Sequence, residues 1–234
     1  MKHTPTLTQG QTLFGWCYWL ATQSLVPFLL AKLLLFLPVS TNGGTWQLCY
    51  NLSFFAVNFA VLLVAYRRFL GRQFSDFWSE PFQCLGWTAL FILLYYLASL
   101  ATGWLISRIS PTFQNANNGF ISGLVQRSFL LTLVGTVLLV PLAEEMLYRG
   151  VIFGSLKRFG RPVSYLASVA LFSFVHIVNY LGDPGFGLQE VLISLLQYAI
   201  PSLCLSLAYD LSGNLFCPIL IHSLNNLFAL LEMR

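Results

Sequence analysis

The length of the uncharged runs is what most constrains this chain. Residues 13–31 and 129–143 contain no Asp, Glu, Lys or Arg. About 20 apolar residues in helical conformation cross the ~30 Å hydrocarbon core of a bilayer. Backbone amides find no water there, so only helices or closed barrels can span it. The chain shows no alternation of apolar and polar residues of the kind a barrel needs. Its 234 residues are 57% hydrophobic and 9% charged, against roughly 25% charged in a soluble domain. The expected fold is all-α: a polytopic transmembrane bundle of about seven helices around an intramembrane active-site cavity. The net charge of +4 suits loops facing anionic lipid rather than nucleic acid. Five scattered cysteines without a CxxC pair argue against a disulfide framework or a zinc knuckle.

In chain order, the first helix is expected over residues 13–31, with Lys32 near its far end, followed by a polar turn over 40–44. The second runs over 45–66 and stops at Arg67-Arg68. Residues 67–82 read as a separate amphipathic segment in the interface, where Phe74, Trp78 and Phe82 would anchor. The third covers 81–107. Residues 108–128 form a polar loop that ends in a short helix. Four further helices follow, over 129–156, 162–181, 188–209 and 215–231, with a turn over 182–185. If seven helices alternate, Lys2, Arg67, Arg68, Arg72, Lys157, Arg158 and Arg161 share one side. The positive-inside rule then places the N-terminus in the cytoplasm of a multi-pass cell-membrane protein.

Within the fourth helix stands Glu144-Glu145-Met146-Leu147-Tyr148-Arg149. Ionisable groups at membrane depth mark a functional site by default, because each charge must leave water. Neighbours on a helix point ~100° apart, so the two carboxylates cannot share a face. Glu145 and Arg149 are spaced i, i+4 and suit a salt bridge. Glu144 is left to face something else and is the catalytic candidate. Pro141 removes one backbone hydrogen bond and should kink the helix just before it.

His176 and His222 are the histidines outside the N-terminal tail. On straight helices, Glu144, His176 and His222 lie about 20, 21 and 18 Å from the same membrane face at ~1.5 Å per residue. Three helices therefore bring their polar groups to one level. Phe172 shares a face with His176, and Asn225 and Asn226 share one with His222; spacing does not choose between the asparagines. A carboxylate, two imidazoles and an amide can activate water and stabilise an oxyanion. Glu144, His176 and His222 could alternatively hold a divalent metal such as zinc. No HExxH or Gly-x-Ser-x-Gly motif is present.

These residues resemble the CAAX-processing and bacteriocin-processing (Abi) family of intramembrane proteases. The pattern of that family is Glu-Glu-x-x-x-Arg, Phe-x-x-x-His and His-x-x-x-Asn, each in its own membrane helix. Here it reads Glu144-Glu145 to Arg149, Phe172 to His176 and His222 to Asn226. The resemblance covers roughly residues 129–232 as the catalytic core; residues 1–128 carry no recognised motif. It implies hydrolysis of a peptide bond in a membrane-bound or prenylated (CAAX-like) peptide, or in a bacteriocin precursor. It implies that Glu144 and His176 activate the water and that His222 and Asn226 stabilise the oxyanion. Glu145, Arg149 and Phe172 are then structural support. Members were first classed as metalloproteases, while the prenyl-protein branch looks metal-independent, so the resemblance leaves the cofactor open. The alternative is a non-catalytic bacteriocin-immunity or scaffold protein of the same fold.

Overall fold

The computed structural model describes residues 6–36, 43–183 and 185–234. Lys2, His3, most of the expected turn at 40–44 and Pro184 lie outside them. All regular structure among the described residues is helical. We number the helices α1 (Gln9–Thr22), α2 (Leu25–Leu34), α3 (Gly44–Ser79), α4 (Pro81–Ile109), α5 (Ala116–Arg127), α6 (Phe129–Phe159), α7 (Arg161–Val175), α8 (Leu188–Ser212) and α9 (Phe216–Glu232). Five stretches, α3, α4, α6, α8 and α7 taken with its following turn to Tyr180, are long and apolar enough to cross a membrane, and α1 with α2 makes six if the bent pair is one span. The multi-pass helical architecture expected from composition is therefore present. Helix α9, at 17 residues, is shorter than a full span.

Helix α6 is the axis of the bundle. Half of its most apolar window is buried, against 17% for α3 and α4. Met146, Val151, Ile152 and Phe153 of α6 meet Leu62, Tyr66 and Phe69 of α3 in the main core. Helix α1 comes close because residue 15 is glycine: a Cβ there would stand 2.5 Å from the Tyr66 hydroxyl and 2.6 Å from Val151. Helix α8 packs on α4 and α7, and α9 closes the bundle against α4, α6 and α8. Gly213 ends α8 in the left-handed conformation (φ 68°), which glycine adopts without a Cβ penalty.

Three helix boundaries depart from the expectation. The run over 13–31 is not one helix; α1 and α2 meet at 55°. Pro27 has no N–H to give the carbonyl four residues back, and its ring clashes with that carbonyl. The break falls there, at Gln23 and Ser24, with Thr22 Oγ1 and Gln23 Nε2 both bonding Trp19 O. The second helix does not stop at Arg67-Arg68. Arginine is a good helix former, so α3 runs on for 36 residues, about 54 Å, until Pro81 starts α4. Residues 67–79 are thus the end of a long helix rather than a separate interfacial segment. Finally, the helix expected over 162–181 ends at Val175, and a single 3₁₀ turn follows at Val178–Tyr180.

Helix α6 is not uniform either. Two stretches, Val134–Leu139 and Met146–Phe153, are wound as π-helix. Such turns bend a helix and are frequent at functional sites. They flank the segment Val140–Glu145 that carries both glutamates.

Candidate active site

The two adjacent carboxylates part as helical spacing requires. The Glu145 side chain is fully buried, while that of Glu144 is 26% exposed and lines a cavity of about 860 Å³. Glu145 Oε1 accepts from Arg149 Nη1 at 3.0 Å. Arg149 Nη2 donates to the carbonyl and the hydroxyl of Ser202 on α8, at 2.9 and 3.0 Å. Its guanidinium lies 4.8 Å from the centre of the Phe172 ring. A buried arginine needs a carboxylate partner and further acceptors, and here both Nη atoms have them while Nε has none among the described residues.

His222 completes a chain that spacing did not reveal. Its Nδ1 lies 2.8 Å from Glu145 Oε1. A carboxylate only accepts, so Nδ1 carries the proton. Its Nε2 then faces Glu144, with Oε2 at 3.9 Å. Glu145 therefore does more than neutralise Arg149; it also orients His222. Glu144 Oε2 itself is buried with no hydrogen-bond partner among the described residues, as are Glu145 Oε2 and Arg149 Nε, so three polar atoms of this cluster call for an explanation.

His176 owes its setting to the early end of α7. The last carbonyls of a helix lack i+4 donors, and His176 Nδ1 takes one of them, Phe172 O, at 2.8 Å. A carbonyl cannot donate, so this bond fixes the proton on Nδ1 and leaves the Nε2 lone pair available. The ring stacks on Tyr198 of α8 at 4.4 Å and 27°, with Phe172 4.5 Å away on another side. Phe172 also meets His222 edge-on at 6.2 Å, so it stands between the two imidazoles. His176 lines the same cavity as Glu144 and His222.

Asn226 is placed by a proline. In the first π stretch the Val140 N–H reaches Gly135 O, five residues back. The next rung would run from residue 141 to Thr136 O, and Pro141 has no N–H. Asn226 Nδ2 supplies the bond instead, at 2.8 Å. Both asparagines line the cavity, but Asn225 makes only a 3.5 Å contact to Asn226 Oδ1. Pro141 thus leaves a free carbonyl for α9 to take.

Among the described residues no three His, Cys, Asp or Glu side chains are disposed to hold an ion. With Nδ1 of both rings committed, only Nε2 of each faces outward.

Spacing missed two features of the cavity. Nothing in its spacing sets Tyr198 apart from a core aromatic, yet it stacks on His176. On α3, Trp46, Tyr50 and Phe54 form one wall stripe, with Gln47, Asn51 and Phe55 beside it; their i, i+4 repeats were the available signal.

Comparison with known proteins supports the motif-based resemblance. Residues 126–228 match the family described as type II CAAX prenyl endopeptidase Rce1-like. The UPF0177 protein YxdF of Lactococcus lactis subsp. lactis (strain IL1403) is 35% identical over 92 residues, 39% of this chain and 44% of that protein. The chain therefore aligns with less than half the length of that relative. No solved structure matches.

Proposed function

We propose that this chain, Rce1-like over residues 126–228, is an intramembrane endopeptidase. The supporting observation is that an unpartnered Glu144 oxygen lies beside His222 Nε2 at the wall of a cavity shared with His176. In this reading Glu144 accepts a proton from a water that His176 Nε2 helps to hold, and the hydroxide attacks the scissile carbonyl. Asn226 and His222 stabilise the oxyanion. Glu144 then passes its proton to the leaving amine. The N-terminus faces the cytoplasm in this account, on the positive-inside argument.

The test is cleavage by purified protein in proteoliposomes, with a farnesylated CAAX peptide and a set of bacteriocin precursors. Wild type should cut at least one substrate, with or without a chelator. Glu144→Gln and His176→Ala should cut none. Full activity in Glu144→Gln would end the proposal, and chelator-sensitive cleavage would require a metal. A folded wild type that protects cells from a bacteriocin equally well with both residues changed would favour the immunity alternative.

A further inference from the structure

The two groups assigned to the oxyanion have few protons left to give. The Asn226 amide carries two N–H bonds, and one of them is spent on Thr136 O at 2.8 Å. As a neutral ring His222 has a single N–H, and Glu145 holds it at 2.8 Å; the ring adds another donor only in its charged form. One amide N–H is thin support for a developing oxyanion, which is stabilised by preorganised donors in a site that excludes water. A further donor is therefore to be sought on the cavity wall.

Helix α4 supplies one. Tyr95, Ser99, Thr102 and Ile106 all line the cavity, and at i, i+4, i+7 and i+11 they form one face of that helix. The Thr102 hydroxyl is spent on Ala98 O of its own helix, and the Tyr198 hydroxyl on Asn115 at the cavity rim. Tyr95 is only 8% exposed, yet its hydroxyl bonds no group among the described residues. A buried tyrosine hydroxyl usually has a partner, and one that faces a cavity can take it from the occupant. Its place along the bundle is telling. Tyr95 packs in one cluster with Leu205 of α8 and Ile221 of α9, and the adjacent Tyr96 meets the Phe228 ring at 6.1 Å. Residues 221 and 228 bracket His222 and Asn226, so this turn of α4 runs beside the turns of α9 that carry the oxyanion groups. Tyr50, Ser99 and Tyr180 also line the cavity, but Ser99 stands a turn further along α4, and Tyr50 and Tyr180 are not packed in the cluster with Ile221. Helix α4 lies outside the matched residues 126–228, so the motif pattern gives no sign of Tyr95.

Resting on the endopeptidase reading, we propose that Tyr95 is a further catalytic residue, whose hydroxyl donates a hydrogen bond to the oxyanion formed when water adds to the scissile carbonyl. It stands beside the remaining N–H of Asn226 and supplies the donor that a neutral His222 lacks. The phenol keeps its proton throughout, so no bond to Tyr95 is made or broken. Such a donor acts on the transition state more than on the bound substrate, so its loss lowers kcat and leaves KM nearly unchanged.

Tyr95→Phe deletes the hydroxyl and keeps the ring. Tyr96→Phe is the control, because the Tyr96 hydroxyl is also unpartnered but Tyr96 does not line the cavity. Purified full-length proteins in proteoliposomes are compared in two ways: turnover of the peptide that wild type cuts, and binding of a dansyl-labelled alanine-leucine peptide in which a phosphinate replaces one amide. The phosphinate mimics the tetrahedral oxyanion, and its second oxygen can share a proton with Glu144. Wild type and Tyr96→Phe should bind it at least about tenfold more tightly than the parent amide peptide, as a transition-state mimic does. Tyr95→Phe should lose that preference. Its kcat should fall about a hundredfold, the lower end of the range for an oxyanion donor, with KM within about twofold and the melting temperature of wild type. Unchanged kcat in Tyr95→Phe, an unchanged phosphinate preference, or an equal loss in Tyr96→Phe would overturn this proposal and leave the endopeptidase reading intact. Neither cleavage nor a phosphinate preference in folded wild type would overturn both. A phosphinate preference that Tyr95→Phe abolishes, with no peptide cut by wild type, would support the donor and count against the endopeptidase reading alone.

Discussion

The Nδ1 of His222 lies 2.8 Å from the same Glu145 oxygen that pairs with Arg149 at 3.0 Å. One buried carboxylate oxygen thus joins the third motif-bearing helix, α9, to the first, α6. Breaking such a pair strands a charge, at about 3–5 kcal/mol. Glu145→Gln should therefore lower the melting temperature in detergent by several degrees and also abolish activity. Adding Arg149→Met should recover much of the stability and none of the activity. Recovery of both would mean that Glu145 serves Arg149 alone.

A second prediction concerns Pro141 and Asn226. Asn226→Leu leaves Thr136 O without its 2.8 Å donor, and a buried carbonyl left unpaired costs about 1–3 kcal/mol. Pro141→Ala restores a backbone N–H that can close the missing π rung. The double variant should be more stable than Asn226→Leu alone in thermal unfolding. Additive losses would show that the free carbonyl and the asparagine are unrelated.

Tyr198 separates positioning from hydrogen bonding. Tyr198→Phe keeps the 4.4 Å stack on His176 and gives up only the hydroxyl bond to Asn115. Tyr198→Ala removes both. An aromatic stack is worth about 0.5–1.5 kcal/mol, so kcat should fall up to tenfold in the alanine variant, with little change in the phenylalanine one. Equal losses in the two would place the effect at the rim rather than at the histidine.

The chemistry-bearing residues could be read from sequence because they are rare in apolar helices and keep helical spacing: the i, i+4 pairing of Glu145 with Arg149, and the separation of Glu144 from Glu145, follow from 100° per residue. The multi-pass helical class was equally plain, since long uncharged runs leave few alternatives. What stayed hidden depends on partners distant in sequence. The His222–Glu145 bond joins residues 77 apart. The π winding of α6 makes sense only once Asn226 of α9 is in place to take Thr136 O. The α3 wall was missed because aromatics and carboxamides at period four look like lipid-facing or packing residues until a cavity is seen beside them. The bend at Thr22–Leu25 was readable in principle from Pro27, and hydropathy concealed it. Arg67-Arg68 misled in the opposite way, since charge ends a membrane crossing without ending a helix.

The most direct test of the central claim is a double-variant cycle on Glu144 and His176 in single-turnover cleavage. If the two act as a unit on one water, Glu144→Gln, His176→Ala and the double variant should show nearly the same large loss, as residues of one catalytic unit do. Multiplying losses would show that they act in separate steps. A single variant of either residue with wild-type turnover would contradict the account outright.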